Sequence, residues 1–130
     1  MQKYNYKSEV CGLLQHQTTN HRLQTTNLSM FIYNVTIKVN WSIHEAWVTW
    51  MREIHIPEVM CKGCFTGYQL VRVLEIDDTE GPTYATQYFA GSKADYNQYI
   101  EIHAPALRKS ALDKWGNNFI GFRSLMEVVN

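Results

Sequence analysis

The chain has 130 residues, twelve basic and twelve acidic side chains, and an isoelectric point near 7.0. That length fits one domain with its own core, and zero net charge excludes recruitment of nucleic acid or an anionic membrane by a global field. No apolar run approaches the roughly twenty residues of a spanning helix, no secretory core occurs between Tyr4 and Gln24, and three cysteines in no framework spacing point to reduced thiols in a cytoplasm.

Residues 1–29 are dominated by Gln, Thr, Asn and His, with Thr-Thr-Asn at Thr18–Asn20 and again at Thr25–Asn27. Such a segment buries too little apolar surface to offset its ordering entropy, so a disordered extension is expected. Met30 stands directly before the first regular strand, as a start assigned too early would leave it; a flexible arm is the alternative. The folded domain is expected over residues 30–130.

Phe31 to Val39 alternates, with Phe31, Tyr33, Val35, Ile37 and Val39 on one face and Asn34, Thr36 and Lys38 on the other. Ser42 followed by Glu45 reads as a capping box. Ile43, Trp47, Trp50, Met51 and Ile54 recur at helical spacing after it, and Gly63 is placed to end the helical region. Phe65 to Asp77 predicts a second strand, residues 78–82 a turn, and Thr83 to Ala90 a third strand. Ser92 caps a second helix with the stripe Tyr96, Ile100, His103, Leu107, Ala111 and Trp115, which Gly116 stops. Phe119 to Val129 closes the chain as a strand. The order βαββαβ is the ferredoxin-like split βαβ plan, an α+β sandwich of two helices on one face of a four-stranded antiparallel sheet.

The two halves share a word. Glu53-Ile54-His55-Ile56-Pro57 and Glu101-Ile102-His103-Ala104-Pro105 are both E-I-H-x-P, offset by 101 − 53 = 48 residues. Each proline removes an amide from the helical ladder and disfavours α geometry in the residue before it. Each helix is therefore expected to kink or break there, with Ile56 and Ala104 displaced and a histidine at the discontinuity. His55, at the edge of its stripe, suits a partly solvated local cap. His103, within its stripe, should be the more buried of the two, and so neutral and facing a pocket.

The last strand carries apolar residues on both faces, with Ile120, Phe122, Met126 and Val128 against Phe119, Leu125 and Val129. The second strand does likewise, Tyr68, Leu70, Leu74 and Ile76 opposing Phe65, Val71 and Val73. Helices can cover one face, so a partner subunit's sheet is expected on the other. Cys61-Lys62-Gly63-Cys64 matches C-x-x-C, but at a helix C-terminus the dipole disfavours thiolate, and no further pair completes a zinc site. His44 and His55 lie three helical turns apart, roughly 16 Å, and cannot share a metal if the helix stays regular; His44, beside the cap, is expected at the surface. The third strand lacks the basic-glycine-aromatic phrase of an RNA-recognition motif.

Many phrases in order, among them Ile32-Tyr33-Asn34-Val35-Thr36, His55-Ile56-Pro57-Glu58-Val59-Met60, Gly81-Pro82-Thr83-Tyr84-Ala85, His103-Ala104-Pro105-Ala106-Leu107-Arg108 and Asp113-Lys114-Trp115-Gly116, resemble a family of short proteins known as a domain of unknown function. That family resembles the dimeric α/β-barrel superfamily, and Arg52 to Gly63 is similar to its EthD-like group. The resemblance implies a dimeric barrel and no particular reaction. The leading expectation is a homodimer with a pocket between sheet and helices that acts on a small hydrophobic or aromatic metabolite as an oxygenase or isomerase. His103 and His55 are the candidate catalytic residues; Asn34, Trp47, Tyr84 and Tyr88 are the candidate ligand-binding residues. No metal or cofactor is expected, though a helical histidine beside an aromatic pocket could ligate haem iron. The alternative is a non-catalytic binding or interaction module with structural histidines.

Overall fold

The computed structural model describes residues 30–130, so the expectations for residues 1–29 lie outside the described part. Four strands, β1 (Phe31–Val39), β2 (Gly67–Val73), β3 (Thr83–Ala90) and β4 (Phe119–Glu127), form one antiparallel sheet in the order β2-β3-β1-β4. Two helices cover one face: α1 over residues 44–61, entered through a tight turn at Trp41–Ile43, and α2 over residues 93–115. This is the ferredoxin-like α+β plan.

β1 lies centrally because its alternation places a continuous apolar row toward the helices. Tyr33 pairs with Tyr88 on one side and Leu125 on the other, and Val35 with Thr86 and Arg123. Above that row sit Trp47, Met51, Ile56 and Val59 of α1 and Tyr99, Ala104 and Leu107 of α2. β2 is shorter than Phe65 to Asp77. Phe65 is buried in the core ahead of the strand, and pairing stops at Val73, two residues before Glu75 takes a left-handed φ of 59°. Leu74 and Ile76 are accordingly exposed beyond the sheet. β4 likewise stops at Glu127, short of Val128 and Val129.

The two serines behave differently. Ser92 has extended dihedrals (φ −151°, ψ 158°), and its hydroxyl accepts the Asp95 amide at 3.1 Å, capping α2 as expected. Ser42 caps nothing. It lies inside the Trp41–Ile43 turn, which backbone bonds from Val39 N to Pro82 O and from Trp41 N to Glu80 O hold against the β2–β3 connection. The capping box is therefore replaced by main-chain bonding. At the other helix ends, Gly63 (φ 79°) and Gly116 (φ 59°) take the left-handed conformation that the stop required.

Neither helix breaks at its proline. In α1 the regular turns His44–Trp50 give way to a π turn at Met51–His55 and resume at Ile56–Cys61; in α2 the same sequence runs Lys93–Gln98, Tyr99–His103, Ala104–Trp115. The amides of Ile56 and Ala104 bond the carbonyls of Met51 and Tyr99, each five residues back. Ile56 (φ −61°, ψ −45°) and Ala104 (φ −60°, ψ −40°) stay helical, contrary to the displacement expected of them. A proline cannot supply the amide that a four-residue ladder demands, and slipping to five-residue spacing just ahead of it absorbs the mismatch without leaving α dihedrals. The repeated word thus encodes a repeated π turn.

Candidate functional site

Between the sheet and the helices lies a small cleft of about 80 Å³. Its floor is Tyr33, Val35 and Ile37 of β1 with Thr86 and Tyr88 of β3; Met51 and His55 come from the π turn of α1, and Tyr99, Leu107 and Arg108 from α2. Arg123 reaches it from β4, directly across the pairing from Val35. Most of this surface is hydrocarbon or tyrosine ring, with polar groups at a few points, the usual composition of a small-molecule site.

His55 is the titratable group on the inner wall. Its imidazole stacks on Trp50, 4.7 Å between centroids and 24° between planes, and no side-chain cap bond ties it to the helix. Burial pushes its pKa down to about 4, so the ring is neutral at pH 7. The expected local cap is thus replaced by a stacked, uncharged base. Around it the tyrosines stay protonated: burial, reinforced by neighbouring tyrosines, raises both Tyr99 and Tyr88. Tyr33 stacks against Phe65 and Tyr88 and accepts a bond from Arg108 Nη2 at 3.3 Å, which leaves its own O–H free to donate.

Both histidines are half-buried, but it is His55 and not His103 whose ring is the more strongly desolvated. His103 does not line the cleft, and its ring is tilted against that of Tyr99 with 6.4 Å between centroids. Its pKa is also lowered, by desolvation and then by the Lys62 charge. The reason lies five residues upstream: subtracting the 48-residue offset, Gln98 stands where Trp50 stands in the first copy, so no indole stacks on His103.

Of the residues nominated for ligand binding, Tyr88 lines the cleft with His55. Asn34 points to the opposite face of the sheet, where its amide donates to Thr36 Oγ1 at 2.9 Å and approaches Ser124 Oγ at 3.5 Å. Trp47 and Tyr84 belong to a separate aromatic cluster near the start of α1, with centroids 5.4 Å apart. There Tyr84 Oη bonds His44 Nε2 at 2.7 Å, so His44 is held in this cluster rather than free at the surface. Tyr33, Met51, Tyr99, Arg108 and Arg123 were not nominated. The alternation of β1 pointed to Tyr33, whereas the arginines converge through helix packing and strand register, which the sequence does not display.

Cys64 is a buried free thiol, pushed up to about 11 by burial and then by the Asp95 charge. It is thus not bonded to Cys61, and its thiolate is suppressed at pH 7. Among the described residues no group of three or more His, Cys, Asp or Glu could hold a metal, and no helix is long and apolar enough to cross a membrane.

Residues 30–129 match the family described as a domain of unknown function, DUF4286. The chain belongs to that family. Three solved structures share the DUF4286 chain's fold at low sequence identity. An EthD-like protein from Ralstonia eutropha JMP134 is 12% identical, with 79% of this chain and 95% of that one covered at a TM-score of 0.58. A dimeric ferredoxin-like protein from an uncultured marine organism is 14% identical over 78% and 97%, with a TM-score of 0.54. An ethyl tert-butyl ether D (EthD) family protein from Bacillus halodurans C-125 is 12% identical over 77% and 98%, with a TM-score of 0.53. No curated protein matches the sequence.

Proposed function

We propose that this DUF4286 chain forms a homodimeric α/β barrel in which each cleft catalyses an isomerase-like proton transfer on a small hydrophobic metabolite, with His55 as the base. The observation that carries this reading is a neutral imidazole on the wall of a largely apolar cleft that also holds tyrosine hydroxyls and, at its rim, Arg108 and Arg123. A base of low pKa accepts a proton from carbon only where the resulting anion is stabilised strongly. The electron pair left behind would move onto a substrate oxygen, where the Tyr33 and Tyr99 hydroxyls donate. His55 then returns the proton to an adjacent carbon. Of the two reactions expected from the sequence, isomerisation is the one whose steps these side chains carry themselves.

The dimer is supported by the uncovered face of the sheet. Ile120 and Phe122 are 73% and 63% exposed there, beside partly exposed Val71 and Met126. Those side chains share a face with Asn34 and Gln87, opposite the helices. A ferredoxin-like neighbour described as dimeric supports the same arrangement.

The test is solvent-deuterium exchange into small carbonyl compounds with a removable α-proton, followed by proton NMR. Wild type should catalyse exchange, His55→Gln should lose it by about 10²–10⁴-fold, and His103→Gln should keep it. A panel without any exchange, or exchange undiminished in His55→Gln, would leave the non-catalytic binding module as the reading.

A further inference from the structure

We infer that the cleft is an anion site whose ligand is a short-chain aliphatic carboxylic acid, held by Arg108 and Arg123 at the mouth with its hydrocarbon facing His55. The inference rests on the cleft reading above and names the class of molecule that the cleft takes.

Charge comes first. The described residues lining the cleft include two arginines and no Asp or Glu. Both arginines are exposed and line the same cleft, Arg108 from α2 and Arg123 from β4. Arg108 donates to Tyr33 Oη, a neutral partner that leaves its charge uncompensated. One turn either way on its helix are Ala104, Pro105, Ala111 and Leu112. Arg123 makes no ion pair among the described residues, and the one acid on its strand, Glu127, is four residues on, about 13 Å along the strand. Both guanidinium groups lie close enough to act on the hydroxyls of Tyr96 and Tyr99, which places the two charges around one spot. Two unpaired guanidinium forks converging on an uncharged cleft fit a carboxylate, whose paired oxygens match their donors.

Size sets the other end of the molecule. A cavity of about 150 Å³ holds benzene, and this one measures about 80 Å³. A chain of a few carbons therefore fits behind the arginines more readily than an aromatic ring. Of the hydrophobic or aromatic ligand expected from the sequence, the inference takes the hydrophobic form.

The test is equilibrium binding of butyrate, butyramide and benzoate to the full chain, followed by NMR at the His55 ring and the Arg123 side chain. Butyrate should bind saturably and displace both sets of signals. Butyramide, equal in shape but uncharged, should bind about tenfold more weakly, as should butyrate to Arg123→Gln or Arg108→Gln, each lacking one charge-assisted bond. Benzoate should leave the His55 signals unmoved. Butyrate binding should persist in His55→Gln, so failure of the proton-transfer reading would show as absent exchange with binding intact. The inference is overturned if butyrate fails to saturate, if butyramide matches it, if both arginine variants bind as wild type does, or if benzoate enters the cleft.

Discussion

The Trp50 indole lies nearly parallel to the His55 imidazole, with 4.7 Å between ring centroids. In a regular α-helix, residues five apart point roughly 140° away from each other around the axis. The π turn at Met51–His55 closes that arc, so residue i comes to stand over residue i+5. The proline that forces the wider turn, the tryptophan that exploits it and the depressed basicity of His55 are thus one construction.

Removing the ring should undo it. Trp50→Ala is expected to destabilise the fold by about 3–5 kcal/mol, since Trp50 is buried against Trp115 as well. It should also move the His55 pKa up toward its ordinary value. Gln98→Trp, at the equivalent position of the second helix, should lower the His103 pKa further. NMR titration of the two rings in both variants reads these shifts; an unchanged His55 in Trp50→Ala would show that the stacking does not set its basicity.

Stability should depend on pH through His55 with a definite sign. The folded-state pKa, about 4, is below that of the unfolded chain, so between roughly pH 6.5 and pH 4 the unfolded state binds more protons. Above that window both states are neutral and the group contributes nothing. As pH falls through it, stability is lost, on the order of 3 kcal/mol by its lower end. Denaturant melts of wild type and His55→Gln at pH 7 and pH 4.5 isolate the effect, because carboxylate titration is common to both. Equal acid sensitivity in the two proteins would contradict the assignment.

The uncovered sheet face should be where two copies meet. Phe122→Asp places a charge in the middle of that face, opposite Thr36. It should convert a dimer into a folded monomer, at a cost to the monomer within about 0.5 kcal/mol because Phe122 is largely exposed. Light scattering with circular dichroism checks both halves, and a variant that stays dimeric would move the interface elsewhere.

Cys64 should resist alkylation by iodoacetamide at pH 8 in the native state and react promptly once unfolded. Its thiolate fraction is small, and the side chain is sealed in the core. Rapid native labelling would reopen the redox reading of the C-x-x-C pair.

Much of the fold was legible: β1 alternates from Tyr33 to Val39, and the bounds of β1 and β3 at Phe31, Val39, Thr83 and Ala90 agree with the sequence reading. Ser42 was illegible for a reason outside its own helix. It has the chemistry of Ser92, but the β2–β3 connection had already bonded the chain around it. The site was half legible. The repeated word singled out His55, while its π geometry depends on a ladder slip that no periodicity reveals. The rank of the two histidines was in fact present in the sequence, in Trp50 against Gln98, but it becomes meaningful once five-residue stacking is known. Arg108 and Arg123 lie 15 residues apart on a helix and a strand. Helix packing for Arg108 and pairing register for Arg123 together bring them to one opening.

The most direct measurement is the ionisation of His55 itself, by NMR titration of the ring carbons in the intact protein from pH 8 to the acid limit of folding. The expected result is a His55 ring that stays neutral through pH 6 and titrates near pH 4, with His103 shifted down as well. A His55 that titrates at its ordinary value of about 6.5 would contradict the desolvated, uncharged base on which the proposed proton transfer depends.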